Sequence, residues 1–204
     1  RKGGLDEHTL NALLPRVDVL PFDACRQYMA TAHAPDGEHL LYVKGALERL
    51  LPLCVDQLAG DGRSVPLDTS AIEHAAQAYA EQGMRVLLLA RRLLPEAAPL
   101  TEAAVARLSV IGLVGMIDPT RKAVIAAIHN CHSAGIRVKM ITGDHAVTAL
   151  AIARQIGLDA GRALTGRELA GLDDTALAEV AHGVDVFARV EPEQKLRLVR
   201  ALQG

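Results

Sequence analysis

At the point where Ile136–Ile141 reads as a strand and a helix follows without a linker, the chain places Thr142, Gly143 and Asp144. A helix starting at the carboxyl end of a strand offers unpaired N–H groups and the positive end of its dipole, a setting suited to a phosphoryl group. There Thr142 can donate its hydroxyl to a phosphoryl oxygen, Gly143 lets an oxygen approach the backbone, and Asp144 either caps the helix or faces a magnesium-bound nucleotide. An ordinary capped turn accounts for the tripeptide equally well. Lys195 bears on that choice. On a helix opened by Pro192 it falls in register with Leu198, Val199 and Leu202. From the N-terminal end of that face its ammonium can neutralise a phosphoryl group at the sheet rim; the rival reading is a lysine whose stem covers core side chains.

Asp118-Pro119-Thr120-Arg121 is a third candidate at a strand end. Asp118 and Thr120 can simply start the next helix, with Pro119 near its first turn. Arg121 can lean towards a nucleotide phosphate or brace a junction between domains. In the first half, Lys44 closes a strand, and Gly45 after it leaves room for a ligand near the backbone. Phe22, one of two phenylalanines, is either core or a ring for stacking on adenine. Arg26 and Arg85, taken singly, read as solvated charges. Neither GxxxxGK[ST] nor GxGxxG occurs, so a nucleotide here is held without a P-loop or a dinucleotide fingerprint. His129, Cys131 and His132 cluster, but Cys131 is in register with Val124 and Ile128 on an apolar helix face and reads as a core thiol rather than a metal ligand.

Two kinds of element must position these residues. Val17–Phe22, Cys25–His33 and Glu38–Lys44 are strand-like, with the turn signal APDG making a hairpin of the last two. Ala46–Leu53 reads as a short helix stopped near Pro52, and Asp61-Gly62 as a turn. Thr69 then caps a helix over Ser70–Gln82, ended by Gly83, and Arg85–Arg92 is a strand. This half predicts an antiparallel sheet with helices on it. The second half alternates strand and helix: strand Val110–Ile117, buried; helix Thr120–Ala134, ended by Gly135; strand Ile136–Ile141; helix Asp144–Ile156, ended by Gly157; helix Asp173–His182; strand Val184–Val190; and a final helix over Glu191–Leu202. That order predicts a parallel α/β sheet. The expected division is 1–110 and 111–204. LLPEAAPL (Leu93–Leu100) reads as a surface loop.

Half of the 204 residues are hydrophobic and 23% are charged, so the chain folds rather than staying disordered. A net charge of -2 argues against nucleic acid and against a polybasic membrane contact. Three scattered cysteines with no CxxC fit a reduced compartment. The N-terminal stretch lacks the apolar middle of a signal peptide, and the longest apolar run, near VIGLVGMI, is too short to span a bilayer. The chain therefore reads as soluble, and as a piece of something longer, since its last helix reads as one that feeds a further strand.

Taken in order, PFDACRQYM (Pro21–Met29), YVKGALERLLPLC (Tyr42–Cys54), GMRVLLLA (Gly83–Ala90), GLVGMIDPTR (Gly112–Arg121), the Thr-Gly-Asp stretch and FARVEPEQK (Phe187–Lys195) resemble the cytoplasmic head of a P-type cation-transporting ATPase of type II. The resemblance covers essentially the whole chain. It implies that the first half is most of a nucleotide-binding domain. The second half is then part of a phosphorylation domain with a haloacid-dehalogenase-like core, lacking the nucleophile strand and the C-terminal magnesium-site segment. It implies that Phe22 stacks on adenine, that Arg26, Lys44 and Gly45 belong to the ATP pocket, and that Arg85 reaches the phosphates. Thr142, Gly143, Asp144 and Lys195 then surround the aspartyl phosphate and the ATP phosphates, with Arg189 and Arg121 as further candidates. ATP and Mg2+ are the implied cofactors. The actuator and transmembrane parts of the pump and a transported cation are the implied partners, and the location is the cytoplasmic portion of an integral membrane protein.

Departures accompany the likeness. Gln27 stands where the family carries a lysine, Leu47 replaces the proline of KGAPE, and DPTR replaces DPPR. No Asp-Lys-Thr-Gly-Thr and no GDGxND occur among the 204 residues, so this chain is expected to bind ATP without turning it over. Two alternatives stand beside this: a free-standing haloacid-dehalogenase-like phosphatase, which would need Asp118 as nucleophile, and a non-catalytic nucleotide-binding module.

Overall fold

Strict alternation along Tyr28–His33 puts Tyr28, Ala30 and Ala32 on a buried face and Met29, Thr31 and His33 on the other, as a half-buried strand requires. The computed structural model describes residues 4, 6–94, 99–117 and 121–203, and contacts divide them into two units: residues to Ala76 with Val86–Val114, and Gln77–Arg85 with Gly115 onwards.

In the first unit, helix α1 (Glu7–Leu13), capped by Asp6, precedes strands β1 (Arg16–Asp23), β2 (Tyr28–His33) and β3 (His39–Gly45). The expected strand over Cys25–His33 starts three residues late, because Asp23 closes a turn: its Oδ1 accepts from the N–H groups of Cys25 (2.8 Å) and Arg26 (3.1 Å). Helix α2 (Leu47–Leu50) runs into a 3-10 turn through Pro52. Strands β4 (Cys54–Leu58) and β5 (Ser64–Pro66) follow, a pair too short and too exposed to show a period in the sequence. Helix α3 (Thr69–Glu81) is capped by Asp68, not Thr69: the Ala71 N–H donates to Asp68 Oδ1 at 2.9 Å. Strands β6 (Arg85–Leu94) and β7 (Leu108–Met116) complete a seven-stranded sheet of order β1-β2-β3-β6-β7-β4-β5. The pairs β1/β2, β2/β3, β3/β6 and β4/β5 are antiparallel, whereas β4 and β7 are parallel.

The strand expected over Val110–Ile117 thus belongs to this sheet rather than to the parallel one. Its buried residues are at its start, while Ile111, Val114 and Met116 are exposed. An apolar run announces a strand but not its neighbours. Leu41, Leu50, Leu88 and Leu108 are fully buried in this unit's core, each contributing about 1.5–3 kcal/mol.

The second unit contains helix α4 (Lys122–Ser133), strand β8 (Met140–Ile141), helix α5 (Ala146–Gln155), strand β9 (Ala163–Thr165), helices α6 (Gly166–Ala170) and α7 (Asp174–Gly183), strand β10 (Val186–Ala188) and helix α8 (Pro192–Gln203). Its three strands are parallel in the order β8-β10-β9. The strands expected over Ile136–Ile141 and Val184–Val190 shrink to two and three residues, and β9 with α6 is unforeseen. Gly135 and Gly157 end their helices with positive φ (+73° and +81°) as expected. Phe187, Leu169, Leu177 and Leu198 pack the core on one side of β10, and Ala149 and Ala153 from α5, with Ile156 just after it, on the other. The architecture is mixed α/β, a largely antiparallel sheet with helices followed by a parallel α/β part. Among the described residues no helix is long and apolar enough to cross a membrane.

Candidate functional site

The Thr-Gly-Asp stretch leaves β8 and is fixed by main-chain hydrogen bonds to β10 and the residues after it. The Thr142 N–H donates to the Phe187 carbonyl (2.9 Å), the Val190 N–H to the Thr142 carbonyl (3.1 Å) and the Arg189 N–H to the Asp144 carbonyl (3.1 Å). Within the stretch, Thr142 Oγ1 donates to Asp144 Oδ2 (2.8 Å) and accepts from the Asp144 N–H (3.1 Å). The other carboxylate oxygen, Oδ1, meets Arg85 Nε at 2.8 Å. Asp144 therefore does not cap α5. That position belongs to His145, whose Nδ1 accepts from the Val147 N–H at 3.5 Å. Arg85 is paired rather than simply solvated, although two-thirds of its side chain is exposed, which keeps the ion pair below about 1 kcal/mol.

Buried Thr148 helps set Arg85 in place: its Oγ1 donates to the carbonyl of Met84 at 3.0 Å. Gly143 has ordinary φ, and a Cβ there would meet open space, so its lack of a side chain leaves the turn accessible instead of relieving strain.

Lys195 lies on the exposed side of α8 together with Val199, while the buried stripe runs through Leu198. Its expected membership of the apolar face is therefore corrected. The inward residue at that end is Gln194, whose Oε1 accepts from the Glu191 N–H (3.1 Å) and whose Nε2 donates to the Gly166 carbonyl (2.7 Å). Gly166 is obligatory for packing: a Cβ there would collide with the Arg189 carbonyl and lie 2.6 Å from Gln194 Oε1. Arg189 has φ +53°, unusual for a side chain of its kind. Arg121 is exposed and precedes α4 with extended backbone; Asp118, Pro119 and Thr120 lie outside the described residues.

In the first unit, Phe22 is 64% exposed, whereas the chain's other phenylalanine, Phe187, is fully buried. Phe22 sits where β1 slips register against β2, between Leu20 and Asp23. Lys44 lines a cavity of about 390 Å³ on the sheet face, with Met29, Thr31, Tyr42, Leu89 and Ile111 among its neighbours. Phe22 is not part of that lining.

Two expectations change here. Gly45 leaves room for its own fold and not for a ligand, since a Cβ would fall 2.6 Å from the Gln27 carbonyl and 2.7 Å from Tyr28 Cα. Arg26 is not a solvated charge: Nη1 donates to Glu102 Oε1 (2.6 Å), Nη2 to the Pro21 carbonyl (2.8 Å), and the guanidinium lies 5.9 Å from the centre of the Tyr28 ring. The hydrogen bond to Glu102 holds the Arg26 guanidinium above its ordinary pKa. Gln27, standing for the family's lysine, has φ +61°, and its carbonyl accepts from the Ala46 N–H at 2.9 Å.

Glu102, Thr148, Gly166 and Gln194 escaped the sequence reading because each acts through a partner far along the chain. Only the N3 position of Gln194 after Glu191 and Pro192 carried a local signal, that of a capping residue. Among the described residues no group of three or more His, Cys, Asp or Glu is placed to hold a metal ion. Cys54 is buried, its thiol pushed up to about 11 by desolvation, and Cys131 is half-buried.

A family model described as "P-type ATPase, cytoplasmic domain N" matches residues 2–123. The chain is 46% identical over 207 residues to the cation-transporting ATPase pma1 of Synechocystis, covering 99% of this chain and 23% of that protein. It is 39% identical to calcium-transporting ATPase 1 of Bacillus cereus, over 96% of this chain and 22% of that one, and 38% identical to calcium-transporting ATPase 1 of Lactococcus lactis, over 100% and 24%. The chain thus spans about a quarter of the length of these curated relatives. With a family model matching more than half of its residues, the chain belongs to the P-type ATPase family, and its residues 2–123 correspond to the cytoplasmic domain N.

Proposed function

We propose that this chain is part of the ATP-binding and phosphorylation head of a pump that couples ATP hydrolysis, through an aspartyl phosphate, to cation transport across a membrane. The observation that carries the nucleotide half of this reading is Phe22. A large aromatic ring left 64% exposed on a strand is a stacking platform waiting for a flat partner. Lys44, on the same sheet, supplies positive charge beside an apolar cavity. We assign residues 1–110 to nucleotide binding and 111–204 to part of the phosphorylation portion; the compactness of the unit that ends at Val114 supports that division.

In the second unit, Thr142, Gly143 and Asp144 present a hydroxyl, an open backbone and a carboxylate at the end of a parallel strand, the place where such sheets bind ligands. Arg85, Arg189, Arg121 and Lys195 are the cations assigned to the phosphates. In this reading Mg2+ arrives bound to ATP and supplies charge neutralisation there; its main protein ligands are assigned to other segments of the pump. The chemistry that this chain contributes is binding and electrostatic stabilisation of a transferring phosphoryl group. The actuator and membrane parts of the pump, and the cation, are the remaining proposed partners.

Titration of the chain with adenosine and with ATP, followed by amide and aromatic chemical shifts, tests this. Saturable shifts at Phe22 and Lys44, with no loss of the γ-phosphate and no acid-stable label on the protein, are expected. Absence of shifts at both residues would overturn the nucleotide reading, and rapid hydrolysis would favour a free-standing phosphatase.

A further inference from the structure

β1 slips register against β2 between Leu20 and Asp23, the step that carries Pro21 and Phe22. Arg26 reaches back to that step. Its Nη2 donates to the Pro21 carbonyl at 2.8 Å, while Nη1 is anchored on Glu102 Oε1 at 2.6 Å, 76 residues further along the chain. The turn between them is closed by Asp23, whose Oδ1 accepts from the Arg26 N–H and whose carbonyl accepts from the Gln27 N–H. The Arg26 side chain is only 21% exposed, and its Nε is buried with no hydrogen-bond partner.

A guanidinium held by carbonyl, carboxylate and ring has both ends of its fork already engaged. Phe22, by contrast, is 64% exposed, so the placement of its ring depends on the Pro21–Asp23 backbone. We propose that Arg26 and Glu102 form a positioning clamp that sets the Phe22 ring for adenine, and that Arg26 does not itself contact phosphate. The inference rests on the reading of Phe22 as the stacking ring.

Charge makes the two roles of Arg26 opposite in sign. Glu102 is 60% exposed, so Glu102→Ala leaves the fold intact. If the clamp positions Phe22, Glu102→Ala weakens adenosine and ATP by the same factor, about fivefold, a typical coupling between contacting residues. It then causes no further loss in a Phe22→Ala background. If Arg26 is a phosphate contact, the same substitution releases a cation, so ATP tightens while adenosine is unchanged.

Arg26→Lys, which keeps the charge but loses the fork, is the second variant, and the clamp predicts equal losses for both ligands. Calorimetric titration of the 204-residue chain and these variants separates the outcomes. Equal weakening that vanishes without the Phe22 ring supports the clamp. Tighter ATP binding, or binding of both ligands untouched by Glu102→Ala while Phe22→Ala weakens it, overturns the clamp and leaves the nucleotide reading standing. Failure of the unmodified chain to bind either ligand removes both.

Discussion

Arg85 Nε sits 2.8 Å from Asp144 Oδ1, and Thr142 occupies the carboxylate's other oxygen. A phosphate arriving at Arg85 must compete with that carboxylate. Removing its charge frees the arginine and also removes a repulsion, so Asp144→Asn should tighten metal-free ATP about fivefold, equivalent to ~1 kcal/mol, and less at high salt. Titrations without magnesium at two ionic strengths would show it. Unchanged affinity would mean that Arg85 does not meet phosphate.

Phe22 should matter to ligand and hardly at all to fold. Its ring is mostly in water, so Phe22→Ala should alter unfolding free energy by less than about 0.5 kcal/mol. Adenosine affinity should fall by a factor equivalent to about 1–3 kcal/mol, the usual worth of a base stacked on an aromatic ring. Denaturant melts set against binding isotherms make the comparison.

Gly45 predicts the reverse. A methyl group there would meet Tyr28 Cα and the Gln27 carbonyl at 2.7 and 2.6 Å; Tyr28 is paired with Gly45 itself, and the Gln27 carbonyl accepts from the Ala46 N–H. Gly45→Ala should destabilise the first unit by about 1–3 kcal/mol or more through overpacking. Chemical denaturation would register this as a lower midpoint.

Asp185 offers a pH signature. Burial pushes its carboxyl up, but hydrogen bonds and charge from Lys139 (3.0 Å) and Arg137 (3.0 Å) more than offset this, and its pKa lies below the ordinary carboxylate value. A folded-state pKa below the unfolded one means stabilisation that is fully present above the unfolded value, near 3.9, and lost as pH falls through the folded value. Asp185→Asn should therefore cost about 1–3 kcal/mol at pH 7. The gap from the unmodified chain should close as the pH drops below about 4. Thermal melts across pH would follow the convergence, and a constant gap would contradict the assignment.

What the sequence made legible was whatever repeats locally. Alternation at Tyr28–His33 announced a half-buried strand, and Gly135 and Gly157 announced helix ends, because period and backbone freedom are properties of neighbouring residues. Gly45 shows the limit: a missing side chain is visible in the sequence, but whether a ligand or a neighbouring strand fills the space is not. Arg26 and Arg85 likewise read as solvated charges because Glu102 and Asp144 lie 76 and 59 positions away along the chain. Lys195 was misplaced by a fraction of a helical turn, enough to move it from the buried stripe to the exposed side. The β9 strand has three residues, too few for any period to emerge.

The Asp144 carboxylate owes its address to peptide groups. Phe187, Arg189 and Val190 grip the Thr142–Asp144 stretch through N–H and carbonyl atoms that every amino acid but proline can supply. These bonds do not depend on which side chains stand at 187–190; packing constrains the buried Phe187 and Ala188 separately, whereas a proline at Arg189 or Val190 would delete one of the donors that hold the stretch. At Arg189 and Val190, then, a search for damaging variants should look first for prolines.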